Sequence, residues 1–363
     1  MNSESRPHPY DFYVWTMTHG ESVVSAVQHP TRLKALKALF SWGKTSSREA
    51  SSEAQDIIES ENRSLSRSPY KTLLDQPTPP FDRLPPHSFF IQIGFVLEKP
   101  YISRDDDRFY YYENSIKREK VFKIPMVAAT SWKGNLRWTA TKLLTEEMEE
   151  GKVTPMQFAE WRLQLRLLFG PEKGDEGPEA KDLARYLKEA GGAQAHDCYK
   201  KLCIDHFATL GVNSLDESPH HKGHLYFYPT HFNGIALEVI NPRQRKTRTG
   251  TLPIYFECVP AGAKGSFSLL YAPIGLIGLE PTVQRSIAKL ALLRTLEALC
   301  HMMRTYGFSA KKTSGYGVAC EEFVKDQQSF IAGINGKYLP REFADLTRDS
   351  REIARSIWGD SNE

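Results

Sequence analysis

The first clear periodic segment is Phe89–Val96, where Phe89, Phe90, Ile91, Ile93, Phe95 and Val96 leave only Gln92 and Gly94 outside the apolar set. A short apolar run of this kind predicts a strand. Residues 98–120 are polar, charged and aromatic and predict a loop or hairpin, and Phe122–Pro125 predicts a short extended piece. Thr130-Ser131 then predicts the cap of a helix running to about Glu149. A second helix is expected from about Thr154 to Phe169, with Pro155 in its first turn and Gly170-Pro171 as its stop. Strands follow at His224–Tyr228, Ile235–Val239, Leu252–Val259 and Ser266–Tyr271. A long helix is predicted from Pro281 to Tyr306, with Ile287, Leu290, Ala291, Leu293, Leu296 and Leu299 on its apolar face. The glycine-rich stretch Lys311–Gly317 leads into a predicted strand at Val318–Val324. This order is α+β with a mostly antiparallel sheet.

Between these elements the chain changes character. Residues 1–85 read as an N-terminal extension with a Ser/Glu-rich linker and a proline spacer. Residues 86–170 are the first part of a core and 223–330 the second, with an insertion at 171–222 and a C-terminal tail at 331–363. Within the insertion one short helix is expected, Ala180–Glu189.

Composition narrows the classes. The chain has 363 residues, 40% hydrophobic and 25% charged, enough for a real core and inconsistent with disorder throughout. No apolar run approaches the ~18 residues of a membrane helix, so no membrane partner is expected. The polar start Met1–Arg6 gives no expectation of a secretory signal. Five cysteines, an odd number at low density, predict a reducing, cytoplasmic location.

Net charge is only +3, but it is unevenly spread. Residues 117–142 hold seven cations against the single acid Glu119, and Arg243, Arg245, Lys246 and Arg248 form a second basic run. Such stripes suit a polyanion gripped on one face, although charge runs alone are more often solvated surface.

Two constellations add chemistry. In Thr130–Trp138, a hydroxyl at a helix start, the cations Lys133 and Arg137 four residues apart, and Gly134 between them could receive a phosphate backbone. In Lys311–Gly317, small residues can expose consecutive amides as an anion nest behind two lysines. A capped amphipathic helix and a plain turn are the ordinary alternatives. A third group, Cys198, Cys203, His206 and His220, offers two thiolates and two imidazoles, the donors of a structural zinc site, though not at standard finger spacing. The alternative there is buried thiols and exposed histidines.

Taken in order, these motifs resemble a family. Ile124-Pro125 followed by Ser131-Trp132-Lys133-Gly134-Asn135-Leu136-Arg137 is similar to the Ser-x-Lys-Gly-x-Leu-Arg signature of the RAMP superfamily of CRISPR-associated proteins. Leu168-Phe169-Gly170, Phe256–Gly262 and Lys312–Gly317 resemble its Leu-Phe-Gly, Glu-x-Val-Pro-x-Gly and C-terminal glycine-rich loop, and Pro9–Phe12 resembles an N-terminal motif of some type III members. The resemblance spans residues 89–324 and points to a Cas-seven-type backbone subunit of a type III effector, with type III-D as a candidate subtype. It implies a ferredoxin-like, RRM-type antiparallel sheet with an inserted thumb hairpin, and as partners crRNA, target RNA and other effector subunits. RNA contacts are implied for Ser131, Lys133, Arg137, Lys311, Lys312, Ser314, Gly315 and Gly317. A target-cleaving acid is implied on the loop before the first-helix motif, where Asp105, Asp106, Asp107 and Glu113 stand. Glu113 occupies the place of the family's aspartate, and a magnesium ion held by oxygen ligands could assist such chemistry. The rival expectations are an endoribonuclease that processes CRISPR precursor RNA and a purely structural filament subunit.

Overall fold

The structure is a computed structural model that describes residues 59, 62–63, 77–105, 114–171, 182–211, 221–240, 254–325 and 327–359. At its centre lies β1, Phe89–Val96, with the bounds expected from its apolar run. Successive side chains of a strand alternate between faces, and here both faces are used. Phe89, Ile91, Ile93 and Phe95 are fully buried in the main core, whereas Phe90 packs with Phe330 and Ala332 on the opposite face.

β1 pairs antiparallel with β7, Lys264–Tyr271, along its whole length, from Phe89↔Tyr271 to Val96↔Lys264. On its other edge it pairs antiparallel with β8, Phe330–Gly333. With β3, Leu225–Phe227, and β9, Gly336–Tyr338, the sheet order is β3-β7-β1-β8-β9. β2, Met126–Val127, pairs with β4, Thr230–His231, and β5, Ala236–Ile240, pairs with β6, Ile254–Cys258, as separate two-stranded ribbons. The coarse expectation, helices with an antiparallel sheet, holds.

Helices connect the strands that are not neighbours. Between β1 and β3 run α1, Ala129–Glu149, α2, Pro155–Phe169, and α3, Asp182–Thr209. Between β7 and β8 runs α4, Pro281–His301, continued by a π-helical turn, Met302–Tyr306, to Gly307 at φ 74°. Trp132 and Leu136 of α1 and Leu292, Leu296 and Leu299 of α4 join the apolar face of β1 in one core. Leu290, expected on the buried face of α4, is exposed; Ala288, Ala291 and Leu292 are the buried positions at that level.

The start of α2 follows its sequence closely. Thr154 accepts a hydrogen bond from the Gln157 amide and Gln157 returns one to the Thr154 amide, a capping box with Pro155 in the first turn. α3 is much longer than the expected Ala180–Glu189. Ala184, Leu187, Gly191, Ala195, Tyr199, Cys203 and Phe207 recur three or four residues apart and are buried. Gly191 sits against Phe158 of α2, where a Cβ would stand 2.5 Å from the ring. The helix passes through the Gly191-Gly192 pair with only a kink at Gly192 (φ 73°).

Val318–Val324 is not a regular strand. It follows the edge of β1 through Cys320 N–H to Val96 O (2.8 Å) and Val324 N–H to Gly94 O (2.9 Å), before β8 takes over the pairing. The stretch read as a tail carries most of β8, all of β9, and two helices, α5, Phe343–Arg348, and α6, Ser350–Trp358, with Ile353 and Ile357 fully buried.

Candidate nucleic-acid interface

The first-helix motif is built around Trp132. Its indole is fully buried, packs on Phe308 (4.6 Å) and Phe267 (5.0 Å), and donates Nε1–H to Thr230 Oγ1 at 3.0 Å. That anchor fixes the rotation of α1. The expected Thr130-Ser131 cap is corrected: the helix begins earlier, at Ala129, because the Ala128 carbonyl already accepts the amides of Ser131 (2.9 Å) and Trp132 (3.1 Å). Ala128 has no side-chain acceptor to offer the first-turn amides, and Thr130 and Ser131 lie within that turn.

With Trp132 inward, the rest of the motif divides into two flanks. On one, Asn135 Nδ2 donates to Phe308 O (3.1 Å) and Ser131 O (2.9 Å), Trp138 meets Tyr306 edge to face at 5.3 Å, and Lys312 Nζ lies 4.2 Å from the Trp138 ring. On the other are Lys133 and Arg137, where Arg137 donates to Pro171 O at 3.3 Å. Burial, then the nearby Arg137 and Lys222 charges, hold the Lys133 ammonium below its ordinary pKa. Lys222 in turn lies over the Tyr226 ring at 4.7 Å. Thr130 and Gly134 lie between the flanks and form with Trp138 an exposed stripe, each four residues from the next. A Cβ at Gly134 would meet nothing within 4 Å, so packing does not require a glycine here.

The glycine-rich loop lies beside the first flank. Ser309 ties it to the segment after β1, receiving the Ile102 amide on Oγ (2.7 Å) and donating to the Ile102 carbonyl (2.8 Å), while Gly317 N–H reaches Pro100 O at 2.8 Å. Lys311 adopts the left-handed region (φ 58°), Lys312–Ser314 make a 3₁₀ turn, and Gly315 (φ 80°) and Gly317 (φ 70°) continue it. A non-glycine residue held left-handed is a local cost of ~1–2 kcal/mol, of the kind that collects at functional loops. The two glycines differ. A Cβ on Gly315 would meet open space, whereas one on Gly317 would stand 2.4 Å from Ser309 Cβ. Gly317→Ala is therefore expected to lower the melting temperature well beyond Gly315→Ala, whose cost is ~1 kcal/mol from φ alone. Equal shifts in parallel thermal melts would show that the Ser309 contact does not hold the loop.

Other predicted residues lie apart. Asp105 is engaged: Oδ1 accepts Lys117 Nζ at 2.9 Å and Oδ2 accepts the Arg118 amide at 3.3 Å, closing the base of the loop. Asp106, Asp107, Glu113, His220 and the basic run Arg243, Arg245, Lys246 and Arg248 lie outside the described residues. Cys203 is buried with Ala159 and Tyr199, and Cys198 packs against the same cluster. His206 instead lines a cavity with His221 and His224. Among the described residues no three metal-ligating side chains could hold an ion. Glu257, in the Glu-x-Val-Pro-x-Gly stretch, is structural: it is buried and ion-paired to Arg118 at 3.1 Å. Asn135, Trp138, Tyr306 and Lys222 are site residues that spacing did not single out; Asn135 and Trp138 carried a signal, because both stand in the motif three or more residues from Ser131 on its flank.

No helix among the described residues is long and apolar enough to cross a membrane. No protein-family model matches the chain, and no curated protein matches it either. Solved structures do. It is similar to a chain in the cryo-EM structure of the Type III-B Cmr-beta bound to cognate target RNA, at 10% identity and TM-score 0.41, over 87% of this chain and 97% of that one. It is similar to a chain of a CRISPR RNA-guided surveillance complex in a pre-nicking state, at 14% identity and TM-score 0.35, over 76% and 84% of the two chains. It is also similar to Cmr6 from Pyrococcus furiosus, at 14% identity and TM-score 0.29, over 65% and 99%. With scores below 0.5, these likenesses carry no weight in the functional reading.

Proposed function

We propose that this chain is an RNA-binding backbone subunit of a type III CRISPR effector, with crRNA held across the start of α1 and target RNA and neighbouring effector subunits as its partners. The observation that carries this reading is the exposed stripe Thr130–Gly134–Trp138, with Lys312 on one side and Lys133, Arg137 and Lys222 on the other. Cations gathered on both sides of an exposed stripe favour a polyanion between them, and an exposed tryptophan offers a face for an unstacked base. The proposed sheet type is ferredoxin-like. Its support is the strand order, in which β1 and β3 enclose β7, β7 and β8 enclose β1, and helices make both crossovers.

The reading assigns binding to this surface and gives Asp105 a structural place, since both of its oxygens are already engaged. The test is the double variant Lys133→Ala/Arg137→Ala, measured against a 30-nucleotide single-stranded RNA at several salt concentrations, with melting followed in parallel. Affinity should fall roughly tenfold at physiological salt. The slope of log affinity on log salt should fall by about 1.4, two phosphate contacts at ~0.7 each. Unchanged affinity and slope in a protein that melts like the parent would remove the assignment.

A further inference from the structure

The segment that leads into α1 reverses in a tight turn. Arg118 pairs with Pro125, Glu119 N–H donates to Ile124 O at 2.8 Å, and Lys123 N–H donates to Glu119 O at 3.0 Å. Glu119 Oε2 accepts the amides of both tip residues, Val121 (2.8 Å) and Phe122 (2.6 Å), and Lys123 completes the reversal in the left-handed region at φ 58°. The amides of residues 121–123 are thus taken by Glu119 itself, and what the turn presents is its side chains. These are Lys120, Val121, Phe122 and Lys123, all exposed, with Val121 75% and Phe122 49% open to solvent.

A plain solvent turn favours Gly, Asn, Asp or Ser. Here a β-branched residue and an aromatic ring stand at the tip and forgo the burial that stabilises such side chains elsewhere. Local chemistry that departs from what the fold needs marks a functional position. The neighbouring charge says what this surface meets. Lys120 and Lys123 bracket the apolar pair, and the only acid of the cation-rich stretch 117–142 is Glu119, which is committed to the turn amides. A cation on each side of an exposed ring matches a nucleic-acid strand, in which charged phosphates alternate with flat bases. Phe122 is also near the proposed RNA path: eight positions separate it from Thr130 on α1, no more than about 29 Å of extended chain.

We propose that the Glu119–Ile124 turn is a further RNA contact, in which Phe122 stacks on one unpaired base of the strand held on α1, Val121 packs beside it, and Lys120 and Lys123 meet the flanking phosphates. The inference rests on the RNA-binding reading above and adds to it a base contact outside α1 and outside the glycine-rich loop. Stacking removes apolar surface of both the ring and the base from water. A turn already ordered by Glu119 loses little conformational freedom when it binds. Because the ring meets the face of the base and not its hydrogen-bonding edge, the contact tolerates any sequence.

The test compares a 30-nucleotide single-stranded RNA with an abasic oligonucleotide of the same length and charge, on the full-length protein. The measured quantity is the ratio of affinities, base-containing over abasic. That ratio should fall roughly tenfold in Phe122→Ala, the usual value of one stacked base, and should return in Phe122→Tyr. Val121→Ser should lower it by a smaller factor. Lys120→Ala should weaken both oligonucleotides alike and take about 0.7 off the salt slope, leaving the ratio in place. An unchanged ratio in Phe122→Ala and Val121→Ser, both melting like the parent, would overturn the turn contact while leaving the cationic flank on α1 standing. Parent protein that binds neither oligonucleotide would overturn the RNA reading and the turn contact with it. A Phe122→Ala protein that keeps the ratio but loses self-association in light scattering would also overturn it, in favour of a contact between copies of the chain.

Discussion

Glu257→Ala is expected to cost about 3–5 kcal/mol in urea unfolding, among the largest effects of any single polar substitution in this chain. The Glu257 and Arg118 side chains are 2% and 4% exposed, and their ion pair is 3.1 Å long. The same carboxylate oxygen also accepts the Ile116 amide at 3.2 Å. Removing the carboxylate takes an ion-pair partner from a buried guanidinium and leaves the Ile116 amide without this acceptor, which costs far more than the pair contributes net. The effect should reach the RNA surface. Residues 114–118 run between Glu257 and the approach to α1: Glu257 N–H donates to Asn114 O, and Met126 N–H to Lys117 O. Loss of the pair therefore loosens the support beneath Pro125 and the first turn of α1. The double variant Arg118→Met/Glu257→Leu, which removes both charges of the pair, should be more stable than Glu257→Ala. A Glu257→Ala loss below ~1 kcal/mol would mean that water reaches Arg118 and that the motif glutamate is not a structural keystone.

The second large effect is acid sensitivity centred on His224. Its folded pKa lies near 4, against 6.5 for an ordinary histidine, chiefly through burial and then through His221 and His206. Between these values the unfolded chain binds a proton that the folded chain does not. Stability therefore falls as pH drops from 6.5 towards 4, and is flat with respect to this group above 6.5. The span corresponds to about 3 kcal/mol. His206 acts in the same direction, held below its ordinary value by burial and then by His221. Denaturant unfolding at a series of pH values from 7.5 to 4 should show the decline. His224→Leu removes the titrating ring, and the decline should become distinctly shallower in that variant. A parental curve flat across this range, or an identical slope in His224→Leu, would show that His224 is hydrated or protonated in the folded protein.

Much of the local structure was legible without coordinates because its causes are local. The apolar run Phe89–Val96 needs only its own composition to be a buried strand, and β1 has those bounds. Thr154, Pro155 and Gly170 bound α2 because capping and stopping act within one turn. Lys133 and Arg137 share a flank because residues four apart on a helix are neighbours whatever surrounds them. Where local signals compete with packing they mislead: the expected helix stops at Glu189, yet α3 continues to Thr209, and a glycine at 191 allows contact with Phe158. The cap of α1 shifted for a similar reason, since the burial of Trp132 and the Ala128 carbonyl set the first turn, not the nearest hydroxyl.

The chain by itself determined its main secondary elements, its antiparallel α+β class and the cations and glycines available to meet an anion. Only the tertiary structure decided which of them meet. Lys222 joins Lys133 from 89 positions away, because β3 returns beside β7 and carries its approach to the α1 flank. Asn135 bonds Phe308, across 173 positions, because the crossover helix α4 ends where α1 begins. His206, a zinc donor by sequence, lines one cavity with His221 and His224, because α3 ends against the strand that follows it. Side-chain periodicity reports which way a residue faces along its own element, whereas a site depends on distances between elements, and those are set by how the sheet orders its strands and how the core fills the space above them.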